Sequence, residues 1–464
     1  MSRYGRLGKN IAFITIGNFT SKILSFLMVP FYTAIFSTDE FGVVDLMSTT
    51  LNLIMPFLTL LVSEALLRFA LDKEKNQSAV FTTGMALFLA GCSVFLALSP
   101  LMFLFETFRG YYVLFVLYYL STVLHTALAF FTRGIEKVAV YSACGVIQTV
   151  IMLSLNIVFL SVIDLGVEGY LCAMIIASLV SSACLFFGAK LYRYIQPKTF
   201  SKPLMGEMLR YSAPLIPNAL SWWISSSSNK YLLTAICGTG VVGVYAASQR
   251  IPTLFATVTT IFMGAWNISS VEDFGSEESK RFFSNVYRIY SSFSIIVVAG
   301  IICLTKFIAG ILFANEFFEG WRYVPFLTIG SLFHSMSGFL GSVYTASRKT
   351  KMVFVSSTVA AAINIALNAA LIPFFGGHGA AVATLMSYFA IWLVRLIHSR
   401  TILVVEWNKF TDITSYVLLI LQAILLLAEM PIISTVGVWV ILAVVVAING
   451  KQMLPLVAKI LKRK

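Results

Sequence analysis

Six basic side chains, Lys22, Arg68, Lys230, Arg250, Arg288 and Arg395, fall inside otherwise apolar stretches. A charge near the middle of a membrane-spanning helix costs about 2.5–3.5 kcal/mol on insertion scales, so it needs a cavity or a partner. Lys22 has Asn18 and Ser25 one turn to either side, and the three form a polar stripe on one helix face. Arg250 follows Gln249, and Pro252 just beyond should bend that helix. Lys230 follows a run of hydroxyls and an amide, Ser221, Ser225 to Ser228 and Asn229. Trp222 and Trp223 share that helix and either stack on a sugar or pack against neighbours. Glu64 and Arg68 are four apart, on one face, and read equally as an internal ion pair or as ligand contacts. Arg288 and Arg395 lie close enough to helix ends to snorkel to the interface. His125 and His334 are mid-helix, where a hydrogen-bonded core histidine competes with a proton-coupling site, as does Glu64 for ion coupling. Cations outnumber Glu64 at membrane depth, and this imbalance calls for an anionic ligand such as a phosphate or pyrophosphate head group.

The elements that hold these residues are long apolar runs with short charged connectors. Of 464 residues, 59% are hydrophobic and 11% charged, whereas a soluble domain has about 25% charged residues. A spanning helix needs about 20 apolar residues, and the expected spans are 11–36, 42–70, 79–105, 111–132, 138–162, 167–191, 208–236, 241–270, 282–304, 323–346, 352–374, 379–399, 412–429 and 432–448. The fold class is therefore an all-α polytopic membrane protein with about fourteen helices. Arg3, Arg6 and Lys9 precede the first run, which is too long for a signal peptide and reads as a retained helix. Cys92, Cys144, Cys172, Cys184, Cys237 and Cys303 all lie in apolar runs without metal-ligand spacing, so they read as small buried residues and no metal site is expected.

With the N-terminus in the cytoplasm, nearly all Lys and Arg of the connectors fall on the cytoplasmic side, and the other side receives Arg109, Lys306 and Arg322. Both termini are then cytoplasmic. The net charge of +13 has this topological reading, and no nucleic-acid partner is implied. A basic connector, Lys190 to Arg210, divides the chain after six helices and suggests a duplication. The stretch 35–43 aligns with 236–244, and Asn18 falls within one position of Asn218. Arg133–Lys137 resembles Ser347–Lys351, and each precedes a helix with an asparagine (Asn156, Asn368) and then a glycine connector (Gly169, Gly379). Six is even, so the copies are parallel repeats about an axis along the membrane normal. The expected domains are an N-terminal lobe, 1–195, a C-terminal lobe, 196–405, and a helix pair with a basic tail, 406–464.

No GxxxxGK[ST], GxSxG or HExxH motif occurs, and Gly376-Gly377-His378-Gly379 reads as a helix connector. The chain is expected to be a transporter, with no catalytic residues, no cofactor and no ATP site.

Three stretches carry a family resemblance. They are NIAFITIGNFTSKILSFLMVPFYTAIFSTDEFGVVDL (Asn10 to Leu46), YSAPLIPNALSWWISSSSNKYLLTAICGTGVVGVYAASQRIP (Tyr211 to Pro252) and LFANEFFEGWRYVPFLTIGSLFHSMSGFLGSVYTASRKTK (Leu312 to Lys351). They resemble the polysaccharide-transporter branch of the multidrug/oligosaccharidyl-lipid/polysaccharide exporter superfamily, the Wzx-type flippases of O-antigen and capsule repeat units. The resemblance implies two six-helix lobes in a V, with helices one, two, seven and eight lining a cationic cavity. Lys22, Arg68, Lys230 and Arg250 fall on those four helices, although the family uses arginine more than lysine. It further implies alternating access for a polyprenyl-pyrophosphate-linked oligosaccharide in the bacterial cytoplasmic membrane. The drive would be the membrane potential, at about 2.3 kcal/mol per charge per 100 mV, or an ion gradient. Membrane lipids are implied partners, and a polysaccharide polymerase and chain-length regulator are left open as protein partners. By similarity to peptidoglycan-precursor flippases, the final hairpin would border a groove for the polyprenyl tail. A peptidoglycan-precursor flippase and a cation-coupled multidrug exporter are the competing readings.

Overall fold

A backbone crossing hydrocarbon must satisfy its own N–H and C=O groups, so apolar runs of this length become helices. In the computed structural model 89% of the described residues are helical. The structure describes residues 22–275, 278–347, 349 and 351–461. Among these, eleven helices are long and apolar enough to cross a membrane.

The helices that matter below are α1 (Lys22–Ile35), α2 (Thr38–Leu58), α3 (Val62–Ala70), α4 (Gln77–Leu98), α5 (Tyr112–Gly134), α6 (Val138–Ile157) and α7 (Gly166–Gly188). Then come α8 (Lys202–Ser212), α9 (Ile216–Cys237), α10 (Thr239–Ser248), α11 (Arg250–Glu272), α12 (Ser279–Leu312) and α13 (Val324–Ala346). The last are α14 (Lys351–His398), α15 (Lys409–Leu427) and α16 (Pro431–Leu461). Gly376 (φ 52°, ψ −129°) breaks α14 into two limbs, 351–375 and 377–398, which are the expected eleventh and twelfth spans. The chain forms two compact units, Met1–Trp223 and Ile224–Lys464, each described by itself.

Three expected spans are corrected. The second, 42–70, is two helices, because Leu60 (φ 49°) and Leu61 (φ 51°) are both left-handed. This conformation costs an L-residue about 1–2 kcal/mol. Pro56 loosens the preceding turn, and Thr59 Oγ1 donates to the Met55 carbonyl (2.7 Å). Gly91 on α4 gives the Leu58 carbonyl room. The seventh span starts later, since 202–212 is a separate amphipathic helix, α8, capped by Ser201. The last span is longer than a short hairpin arm, because α16 runs for 31 residues. The bend foreseen from Pro252 is present: its ring excludes the carbonyl four residues earlier, at Ser248, where α10 ends. Ser248 Oγ instead lies within bonding distance of Val244 O (2.7 Å) and Gly320 O (2.9 Å).

Connectors assigned to the same side meet within each unit. In the first unit Lys75 pairs with Glu207 (2.7 Å) and Lys137 Nζ donates to the Ala189 carbonyl. In the second unit Lys280 pairs with Glu406 (2.8 Å). At the opposite end Arg322 meets Glu319 (2.9 Å) and Glu429 (3.1 Å), and Lys306 sits over the Trp321 ring.

The repeat reappears in packing. Asn156 and Asn368 are both fully buried. Asn156 Nδ2 donates to Tyr32 Oη (3.0 Å), and Asn368 Nδ2 donates to Asn364 Oδ1 (2.8 Å). Gly169 lies against Phe159, and Gly379 against the Leu371 carbonyl, so each glycine lets a helix close on the one before it.

A Cβ at Gly91 would sit 2.3 Å from the Leu58 carbonyl oxygen, and one at Gly379 would sit 2.5 Å from that of Leu371. Neither backbone atom can yield without moving a helix. Gly91→Ala and Gly379→Ala should each destabilise the chain by about 1–3 kcal/mol. Gly145→Ala and Gly264→Ala, which meet nothing within 4 Å, should not. Thermal unfolding of the purified variants in detergent checks this; equal melting of all four would refute the packing role.

Candidate functional site

The break at Leu60–Leu61 gives α3 termini of its own. Glu64 lies in its first turn and Arg68 in its last. Each charge therefore complements the nearer end of the helix dipole. Arg68 is exposed and Glu64 half-buried, and among the described residues no ion pair joins them. Lys22 and Ser25 are exposed on α1, while Asn18 lies outside the described residues. Lys22 and Arg68 are thus accessible cations of the first unit, and neither is in an ion pair among the described residues.

In the second unit Arg250 is exposed at the start of α11, and Gln249 before it is half-buried at the bend. Lys230 differs: it is 7% exposed and packs inside the unit on α9. The residues around it are committed inward. Asn229 Nδ2 donates to Tyr245 Oη (2.7 Å), and Ser228 Oγ donates to Asn364 Oδ1 (3.4 Å). The hydroxyl-rich stretch before Lys230 is therefore partly spent on internal bonds. Trp223 Nε1 donates to the Thr49 carbonyl (3.0 Å), which is a packing role; the side chain of Trp222 lies outside those described.

The histidines are held in place. His125 Nε2 is 3.1 Å from Ser181 Oγ, which donates to the Cys144 carbonyl (3.1 Å). The His334 ring packs against that of Tyr388, with centroids 4.7 Å apart and planes tilted by 49°.

Arg395 does not snorkel. It is 6% exposed, and its guanidinium donates to Ser356 Oγ (2.9 Å), the Ser337 carbonyl (2.9 Å), Ser357 Oγ (3.1 Å) and the Val353 carbonyl (3.4 Å). Gly341 leaves the space that its Nη1 fills. Arg288, by contrast, reaches the Glu406 carboxylate (3.5 Å) in a connector, as snorkelling requires.

Sequence reading also missed Asp412. It stands in the first turn of α15 and is fully buried, with no ion pair among the described residues. Ser291, Arg288 and Tyr287 of α12 and Tyr416 of its own helix surround it. It is the first residue of the expected span 412–429, so the sequence alone does not set it at membrane depth.

Comparison with known proteins places this geometry. Residues 7–267, more than half of the chain, match the family described as polysaccharide biosynthesis protein. An uncharacterized membrane protein of Methanocaldococcus jannaschii, MJ1375, is 22% identical over 411 residues, covering 84% of this chain and 96% of that one. A second from the same organism, MJ1068, is 24% identical over 225 residues, 44% of each. The fold is similar to that of an inward-facing MATE family multidrug resistance transporter of the MOP superfamily, with a TM-score of 0.70, 15% identity and coverage of 82% of this chain and 94% of that one. It is also similar to the lipid II flippase MurJ in its inward closed conformation, with a TM-score of 0.68, 14% identity and coverage of 95% and 98%. The fold is shared with both, and the match over residues 7–267 shows that the chain belongs to the polysaccharide biosynthesis protein family.

Proposed function

We propose that the chain is a flippase that moves a polyprenyl-pyrophosphate-linked oligosaccharide repeat unit from the cytoplasmic to the outer leaflet by alternating access. The polymer served would be a surface polysaccharide such as O-antigen, capsule or exopolysaccharide. The observation that carries this reading is the family match, which links the chain to polysaccharide biosynthesis. The fold shared with MATE transporters and a lipid flippase supports movement of a substrate across the bilayer. The exposed cations Lys22, Arg68 and Arg250 support an anionic head group, because a multidrug exporter of organic cations would be better served by acidic groups. In this reading Lys22, Arg68, Lys230 and Arg250, with Ser25, Glu64, Trp222, Gln249 and Asn18, line the substrate path. The protein sits in the bacterial cytoplasmic membrane with both termini inside, works without a cofactor, and draws on the membrane potential or an ion gradient. The likeness to MurJ over 95% of the chain favours the peptidoglycan precursor as the second reading for the substrate.

Deleting the gene should abolish the surface polymer and leave single lipid-linked repeat units on the cytoplasmic side, and the glycan on that lipid names the substrate. Normal polymer with new sensitivity to small organic cations would refute the reading.

An exposed ion pair contributes about 1 kcal/mol and a desolvated charged hydrogen bond about 3 kcal/mol. Lys22→Gln and Arg250→Gln should therefore each weaken binding of the lipid-linked substrate by about 5- to 150-fold. Titration of the purified variants with that lipid decides this, and intact affinity in the double variant would sink the role of both.

Glu64, His125 and His334 are the alternative ion-coupling groups that the sequence offers. The buried carboxyl of Asp412 is a better placed group, because a carboxylate so withdrawn from water needs a proton or a cation beside it. Asp412→Asn should bind substrate normally yet flip it at a rate that no longer responds to the imposed proton or sodium gradient. A wild-type response in reconstituted vesicles would exclude Asp412.

A further inference from the structure

The first unit carries an apolar groove that the proposed transport does not use. It measures about 620 Å³, within the range of about 300–1,000 Å³ that takes ligand-sized molecules. Its walls come from α4, α5 and α7, with Met85, Leu89, Leu124, Leu179 and Ala183 among them. Phe186, Phe187, Ile195 and Pro197 close it at one end, where the chain leaves α7 for the basic connector. That strap is anchored. Thr82 Oγ1 lies 3.3 Å from both the Tyr194 and Gln196 carbonyls and accepts from Gln196 N (3.2 Å). The Thr83 hydroxyl accepts from Ser201 N (3.2 Å), and the Tyr194 ring rests on Phe131 at 5.3 Å.

The strap gathers positive charge at the closed end. Lys190, in the left-handed conformation at φ 55°, and Arg193 are exposed on it. Lys137 reaches across from the connector before α6 to the Ala189 carbonyl. Partial burial pushes the Lys137 ammonium below its ordinary value, and the charges of Lys190 and Arg193 push it further the same way, so the three cations are close enough to repel. Glu136 stands next to Lys137 in the chain, yet none of the three cations is in an ion pair among the described residues. Repulsion of this kind is tolerated where an anion completes the cluster.

We propose that this end of the first unit is a binding site for an anionic phospholipid, with its phosphate on Lys137, Lys190 and Arg193 and an acyl chain in the groove. Apolar volume for the chain and clustered cations for the head group coincide at one strap, and this pairing fits a bilayer lipid better than a soluble phosphate. Leu89 (65% exposed), Phe187 (67%) and Ile195 (51%) present bare apolar surface around the groove, as lipid contact requires.

The test is native mass spectrometry of the full chain in mild detergent, titrated with phosphatidylglycerol and with phosphatidylcholine. Wild type should prefer phosphatidylglycerol. Each cation removed should weaken its binding about fivefold. Lys190→Asn tolerates the left-handed backbone and, with Arg193→Gln, should erase the preference. Ala183→Trp fills the groove without changing charge and should reduce retention of both lipids. Arg400→Gln, an exposed cation of the other unit, should change nothing. Unfolding temperatures of all variants separate loss of lipid from loss of fold. The proposal is overturned if the double charge variant keeps the preference, if Ala183→Trp retains lipid as wild type does, or if a long-chain polyprenyl phosphate displaces phosphatidylglycerol from wild type at equal concentration.

Discussion

In hydrocarbon no water is present to accept a stray hydrogen bond, and every feature of this chain answers to that constraint. Regular helix satisfies it automatically, so the informative places are where the helix stops. Each break carries a local remedy. At Leu60–Leu61, Thr59 folds its hydroxyl back onto the Met55 carbonyl, and Gly91 gives the Leu58 carbonyl room. At Ser248–Gln249 the Pro252 ring leaves the Ser248 carbonyl without its helical donor, and the Ser248 hydroxyl lies within bonding distance of the Val244 and Gly320 carbonyls. At Gly376 the residue that turns the corner is one that enters the left-handed region without cost.

The same constraint sorts the cations. Arg395 and Arg250 are both arginines inside apolar runs, yet they live in opposite environments. Arg395 has four acceptors within reach, two of them serine hydroxyls on α14 itself, so it is buried as a staple between α13 and the two limbs of α14. Such burial is tolerated because hydrogen bonds replace the lost hydration, even without a carboxylate. Arg250 has no such set and is exposed. The sequence shows both as one charge in an apolar window; the difference lies in acceptors 38 to 58 positions away.

That distance explains what could be read beforehand. The number of spans, the alternation of connectors and the duplication follow from composition and period, which are local. Asn156 and Asn368 are both buried, the first bonded to Tyr32 of α1 and the second to Asn364 of its own helix, and Gly169 and Gly379 each lie against the segment before them. The break in the second span was illegible because two leucines sit where glycine would have announced it. The staple at Arg395 and the buried Asp412 were illegible because their surroundings come from other helices. The amphipathic α8 was divided between the basic connector and the seventh span, because its last residues, 208–212, run straight into the apolar stretch that follows.

Within each unit several buried polar side chains bond across helices. His125 with Ser181, Asn156 with Tyr32, and Asn229 with Tyr245 tie helices of one unit to one another. A body whose polar groups are bonded internally resists deformation, because losing any one leaves an unsatisfied group in a low dielectric. Among the cations inside the apolar runs, Lys22 and Arg68 in one unit and Arg250 in the other are exposed. For the transport proposed above this division has a consequence. Rigid units can only move as wholes, and charges that no internal partner neutralises remain available to a ligand that changes sides with them. The anion would then be held by groups whose neighbours do not rearrange, so the cost of the motion falls on the hinge segments and the bilayer and spares the binding groups.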